Sequence, residues 1–187
     1  MAQVPREAFV PAGARRHAYA DAALSLAHGQ TISQPYIVAL ICQALELLGS
    51  ERVLDVGTGS GYQAAVLAEL ADEVVSVERI PELAEQARRN LAAAGYDVDV
   101  RVGDGSLGVP DRAPYDGIAV AATAPGLPEA LYDQLVTGGR LVLPIDESLV
   151  AVTKTATGRR TRFLSPARFV PLVSGLPEQG PGMSGPS

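Results

Sequence analysis

The feature that most constrains this chain is a turn with glycine at alternate positions, Gly57, Gly59 and Gly61, set between two apolar segments. Residues 52–56 (RVLDV) read as a short buried strand, and residues 62–70 as the helix that follows. Glycine at these positions removes Cβ atoms, so the chain can reverse sharply and leave backbone N–H groups facing the space above the strand end. Such a unit belongs in a sheet of parallel strands with helical crossovers, and the rest of the chain continues the alternation. Further strands are expected at 73–78, 98–102, 115–120, 140–143 and 149–155, with another near 162–172. Helices are expected over 35–48, from Pro81 to a stop at Gly95, and over 127–136 with a stop at Gly138-Gly139. Gly158 falls where a hairpin would join the last two strands. The pattern predicts an α/β, doubly wound, Rossmann-like fold: a mainly parallel sheet with a C-terminal antiparallel strand.

At 187 residues the chain has the size of one domain. Residues 1–34 form an irregular N-terminal segment, 35–173 the α/β domain that it joins, and 174–187, rich in Gly, Pro and Ser, are expected to be a disordered tail. A net charge of −6 weighs against nucleic-acid binding, which needs clustered Lys and Arg. The one basic cluster, Arg159-Arg160 with Arg162, reads as a solvated hairpin. Cys42 is the single cysteine, so no intrachain disulfide and no multi-cysteine metal site can form, and no metal is expected. The N-terminus has no basic region leading into an apolar run. No apolar stretch approaches the roughly 20 residues of a membrane helix. A cytoplasmic monomer is the expectation.

In a doubly wound sheet, ligands bind beyond the carboxyl ends of the strands, and three carboxylates sit at such ends. Asp55 ends the first strand of the sheet, Glu78 the second and Asp104 follows the third. Glu78 stands 19 residues beyond Gly59, where an acidic side chain can accept from both hydroxyls of a ribose. Asp104 is placed to accept from an adenine amino group. The spacing G-x-G-x-G differs from the dinucleotide fingerprint G-x-G-x-x-G, because position 62 is Tyr. It suits a nucleoside cofactor without pyrophosphate, S-adenosylmethionine, whose ammonium Asp55 could offset. The expected cofactor set is Asp55, Gly57, Thr58, Gly59, Ser60, Gly61, Glu78, Arg79, Gly103, Asp104 and Gly105.

With these residues placed, the sequence resembles the protein-L-isoaspartate (D-aspartate) O-methyltransferase family. The resemblance is carried by Val4-Pro5-Arg6-Glu7-Ala8-Phe9, Ala18-Tyr19-Ala20-Asp21 and Gly29-Gln30-Thr31-Ile32-Ser33-Gln34-Pro35. It continues through residues 53–68 (VLDVGTGSGYQAAVLA), Ser76-Val77-Glu78-Arg79, Gly103-Asp104-Gly105, Gly138-Gly139-Arg140-Leu141 and Arg168-Phe169-Val170-Pro171-Leu172. It spans about residues 4–173, and the TISQP loop and the RFVPL segment are its most particular parts. The family usually carries a further helix before the segment matched by Val4–Phe9, and Ile145-Asp146 stands where Val-Gly is common.

The resemblance implies a repair enzyme that methylates the free α-carboxylate of L-isoaspartyl residues in damaged proteins and peptides, using S-adenosylmethionine and leaving S-adenosylhomocysteine. The ester then closes to a succinimide that hydrolyses partly to aspartate. By the same resemblance Ser33 is the active-site serine, Thr31 and Ile32 lie against the cofactor, and Val170, Pro171 and Leu172 line the peptide groove with Ser33. Spacing alone reads Ser33 as a helix N-cap before Pro35. An α-carboxylate with a pKa near roughly 3.5 is already ionised at neutral pH and needs no general base. That agrees with the lack of a Ser-His-Asp grouping, His17 and His28 both lying in the irregular N-terminal region. The alternatives are a carboxyl methyltransferase of this fold with a dedicated, modified-peptide substrate, a non-catalytic adenosylmethionine-binding module and, disfavoured by the glycine spacing, a nicotinamide dehydrogenase.

Overall fold

The computed structural model describes residues 3–177. A short antiparallel pair, β1 (Leu24–Ser25) and β2 (Thr31–Ile32), precedes helix α1 (Pro35–Leu45). Then follow β3 (Arg52–Val56), α2 (Tyr62–Ala68), β4 (Glu73–Glu78), α3 (Pro81–Ala93) and β5 (Asp99–Val102). The chain continues with β6 (Tyr115–Val120), α4 (Glu129–Asp133), β7 (Leu135–Ile145), β8 (Ser148–Thr155) and β9 (Gly158–Pro166). Seven strands form one sheet in the order β5-β4-β3-β6-β7-β8-β9. Strands β5 to β7 are parallel, and β8 and β9 add two antiparallel pairings, so the expected doubly wound sheet gains a hairpin at its C-terminal edge. Strand β3 pairs in parallel with both β4 and β6. The strand order therefore reverses beside β3, and a crevice opens above the carboxyl ends of β3 and β6.

Alternation along the parallel strands divides the core in two. Val53, Val74, Val100, Ala119 and Val142 pack on one face with α1, α2, α3 and the N-terminal segment through Val4 and Phe9. Leu54, Val56, Val75, Val77, Ile118 and Val120 pack on the other, with Leu131 of α4. Burial on both faces explains why these strands read as nearly continuous apolar runs. Cys42 lies in the first core, where burial pushes its thiol up to about 12 and makes it unreactive. None of the described helices is long and apolar enough to cross a membrane.

Several expected boundaries move. The helix expected over 127–136 is only Glu129–Asp133, and β7 begins at Leu135. Gly138-Gly139 does not stop a helix but forms an irregularity inside β7, between the pairings Tyr115–Leu135 and Gly117–Arg140. A Cβ at Gly139 would come within 3.0 Å of the Asp116 and Val136 carbonyl oxygens. Helix α1 ends at Leu45 because Glu46 turns left-handed, with φ 52°, and beyond Leu47 the Glu51 carboxylate gathers three N–H groups, from Leu48, Gly49 and Ser50. Its N-cap is Gln34, not Ser33, and the exposed first turn is met by Asp21, which accepts from Tyr36 N–H. The segment that follows residue 173 is described as far as residue 177. Gly175 donates to Asp104 Oδ2 and its carbonyl accepts from Arg79 Nε, so this stretch lies against the domain. Residues 178–187 fall outside the described residues.

One polar cluster lies within the core. Asp55 is fully buried, and its two oxygens accept from Gln63 Nε2 of α2 at 2.8 Å and Ser76 Oγ of β4 at 2.7 Å. Ser76 also shares a hydrogen bond of 2.6 Å with Thr58 Oγ1 in the glycine turn. This ties β3, β4, the turn and α2 together without a cation. Burial pushes the Asp55 carboxyl up to about 6, against the opposing pull of the Gln63 and Ser76 donors. Because the folded value exceeds the unfolded one, the stabilising contribution is complete below about pH 4 and is lost as pH rises through about 6. The melting temperature of the ligand-free protein minus that of Asp55→Asn should therefore fall between pH 4 and 7. About 3 kcal/mol, or roughly 9 °C for a chain of this size, is the scale expected. A pH-independent difference between the two proteins would show that Asp55 titrates normally.

Candidate active site

The glycine turn is held from β4. Gly57 and Thr58 N–H both donate to the Val77 carbonyl, at 2.9 and 3.3 Å. The Glu78 carboxylate accepts from Gly59 N–H at 2.9 Å with one oxygen and from Ile80 N–H at 3.0 Å with the other. Gly57, Gly59 and Gly61 adopt φ values of 93°, 53° and 90°, a region that penalises any side chain. At Gly61 a Cβ would also meet Leu91 Cγ at 3.1 Å, so this glycine lets α2 pack closely on α3.

Two spaces bordered by the turn adjoin a third beyond the Thr31–Ser33 loop. A groove of about 650 Å³, its open mouth included, lies between the turn and β4 and is bordered by Gly57, Gly59, Glu78, Arg79 and Gly105. A smaller recess of about 300 Å³ lies between the turn and the Thr31–Ser33 loop, with Ile32, Thr58, Ser60, Tyr62 and Gln63 in its wall. An outer groove of about 720 Å³ runs between Ser33, Gln34, Ile37 and residues 166–169. Thr31 borders all three spaces, and Ser33 borders the recess and the outer groove. Among the described residues no hydrogen bond involves the Ser33 hydroxyl. Neither His17 nor His28 lines these spaces.

Not every expected site residue reaches them. Asp55 lies beneath the recess with both oxygens engaged, so it does not present a free carboxylate. Gly103 packs against Val77. Asp104 accepts from Ser106 N–H and Oγ and, through its other oxygen, from Gly175 N–H at 2.6 Å. Burial would raise its carboxyl, but these donors outweigh it and leave the group below the ordinary carboxylate range. Val170, Pro171 and Leu172, expected along the peptide groove, border the groove above Glu78. Thr123 at the end of β6 fixes them there, donating to Val170 O and accepting from Leu172 N–H, each at 2.8 Å. The wall of the outer groove comes instead from Pro166, Ala167, Arg168 and Phe169.

Sequence reasoning missed Gln63, Ser76 and Arg6. The serine was visible as a polar residue inside the apolar strand EVVSVE, and Gln63 as a polar residue two places past the last turn glycine. With Nε2 committed to Asp55, Gln63 Oε1 is a buried acceptor with no protein partner. An unpaired acceptor in the recess wall, above a carboxylate without a cation, fits the ammonium of an amino-acid moiety. Glu78, 6% exposed at the groove, retains acceptor capacity suited to paired hydroxyls. The residues present thus fit a nucleoside that carries an amino-acid tail.

Known proteins point the same way. The model of the family described as protein-L-isoaspartate(D-aspartate) O-methyltransferase matches residues 1–177. Protein-L-isoaspartate O-methyltransferase 2 of Marinobacter nauticus is 54% identical over 180 residues, covering 92% of this chain and 82% of the relative. A solved protein-L-isoaspartate O-methyltransferase has a TM-score of 0.81 at 31% identity; the match covers 92% of this chain and 59% of that one. A structure from Plasmodium falciparum assigned to the same enzyme class, in complex with S-adenosyl-L-homocysteine, has a TM-score of 0.78 at 26% identity and covers 93% of this chain and 88% of its own. With identity at this level across nearly its whole length, the chain belongs to the protein-L-isoaspartate(D-aspartate) O-methyltransferase family.

Proposed function

We propose that this protein moves a methyl group from S-adenosylmethionine to the free α-carboxylate of L-isoaspartyl residues in damaged proteins and peptides, with Ser33 holding the acceptor. The observation that carries this reading is the position of Ser33, on the boundary between the recess above the glycine turn and the outer groove. A side chain extended along that groove would bring a carboxylate to the hydroxyl. Membership of the family supports the substrate class.

When bound, adenosylmethionine supplies a methyl group activated on a sulfonium. Glu78 would accept from the ribose hydroxyls, Gln63 Oε1 would take the ammonium, and the N–H groups of the glycine turn would face the amino-acid end. Thr31 and Ile32 would close the recess from above, and Val170, Pro171 and Leu172 would cover the nucleoside. Ser33 would donate its hydroxyl to one carboxylate oxygen and leave the other free to attack. The chain needs no proton acceptor for this, so its work is orientation and exclusion of water. The backbone amide nitrogen then displaces methanol from the ester to close a succinimide, and hydrolysis returns part of the material to aspartate. A cytoplasmic setting suits a chain whose lone cysteine is buried, and its net charge of −6 favours polypeptide over nucleic-acid partners.

Replacing Ser33 by Ala should lower turnover on an isoaspartyl peptide by roughly 10- to 100-fold, the value of a hydrogen bond to a charged group, and leave adenosylhomocysteine affinity within about threefold. Near-normal turnover in that variant would remove Ser33 from the mechanism. Glu78→Gln should raise the adenosylhomocysteine dissociation constant about tenfold or more. An unchanged constant, read by calorimetric titration, would place the nucleoside elsewhere.

A further inference from the structure

Arg6 lies in the segment that sequence analysis read as irregular, yet it is the largest fully buried side chain described. Its Nε donates to Ala18 O at 2.6 Å and its Nη2 to Ser33 O at 2.8 Å. The guanidinium lies over the ring of Tyr62, 4.6 Å from the centroid, and Phe9 meets the same ring edge-on at 5.8 Å. Among the described residues no carboxylate forms an ion pair with it, Asp21 acting on it only at longer range, and Nη1 is buried without a hydrogen-bond partner. Burying a cation without a direct ion pair is costly, and an apolar side chain of similar volume would fill the space without that cost. What only the planar group supplies is a rigid link between elements. Ser33 and Tyr62 stand in the wall of the same recess, one from the loop after β2 and the other from the first residue after the glycine turn. One guanidinium grips both.

We propose that Arg6 is the positioning residue of the methyl-transfer site: by clamping the Ser33 carbonyl and stacking on Tyr62, it sets the Ser33 hydroxyl relative to the glycine turn. The inference rests on the reading of Ser33 given above. Two fixed N–H bonds and a stacked plane leave the Ser33 peptide little freedom to rotate. A shift of about 1 Å in such a group can cost on the order of a hundredfold in rate. Lysine cannot reproduce the link, because a single ammonium on a flexible stem cannot reach two carbonyls and stack at once.

The test is a double-mutant cycle of Arg6→Lys and Ser33→Ala, with kcat and KM on an isoaspartyl peptide and adenosylhomocysteine affinity measured for each protein. Arg6→Lys should lower kcat about tenfold and leave cofactor affinity within about threefold. The double variant should lose no more than Ser33→Ala alone, because the residue through which Arg6 acts is already gone. Guanidinium ion at millimolar concentration should restore part of the kcat lost in Arg6→Ala, which a misfolded variant would not allow. Losses that multiply in the double variant, with Ser33→Ala itself impaired, overturn the role of Arg6 and leave that of Ser33 intact. A normal kcat in Arg6→Lys, or a loss of cofactor affinity in step with kcat, overturns it too. Full turnover in Ser33→Ala defeats the reading of Ser33 and this inference with it.

Discussion

The Glu78 carboxylate holds the N–H groups of Gly59 and Ile80, and the geometry of the site depends on that pair of bonds. A turn with three glycines has much backbone freedom to lose, and folding must offset that entropy. Glu78 and the Val77 carbonyl do so from the adjacent strand. The same carboxylate faces the groove, which couples the conformation of the turn to the surface that would read a ribose. Parallel pairing of β3 with β4 and β6 brings these groups into reach, because it aligns the carboxyl ends of the strands.

Two buried charged side chains without a direct ion pair touch residues that line the recess. Below it, Asp55 is satisfied only by the neutral donors Gln63 and Ser76. Beside it, Arg6 is satisfied only by carbonyls and the face of an aromatic ring. Neither group opens onto the recess itself, but each touches residues that do: Gln63 in one case, Ser33 and Tyr62 in the other. A reaction that joins a carboxylate to a sulfonium needs both partners held in one dry space.

The strands β3, β4 and β6 were legible because burial on both faces leaves an unbroken apolar run, and the glycine turn because its backbone tolerates nothing larger. The helix expected through 127–136 was not, since two glycines that normally end a helix here relieve crowding within a strand. Ser33 looked like a cap by spacing, but Asp21, distant in sequence, serves the first turn of α1 and leaves the hydroxyl uncommitted. Asp104 and residues 170–172 were given roles that their long-range partners Gly175 and Thr123 modify. Arg6 carried no local signal at all, because its importance lies in contacts 12 and 27 residues away. Periodicity reports the faces of elements, whereas contacts between distant loops have no period to detect.

Transfer of labelled methyl groups to two peptides of identical sequence tests most directly whether the acceptor is an isoaspartyl carboxylate. One peptide carries an L-isoaspartyl linkage and the other the normal aspartyl linkage. Methylation of the first, at a kcat/KM about a hundredfold or more above the second, is the predicted result, since a displaced carboxylate no longer meets Ser33 in line. Equal labelling of both peptides, or labelling of neither by protein that binds adenosylhomocysteine, would contradict it.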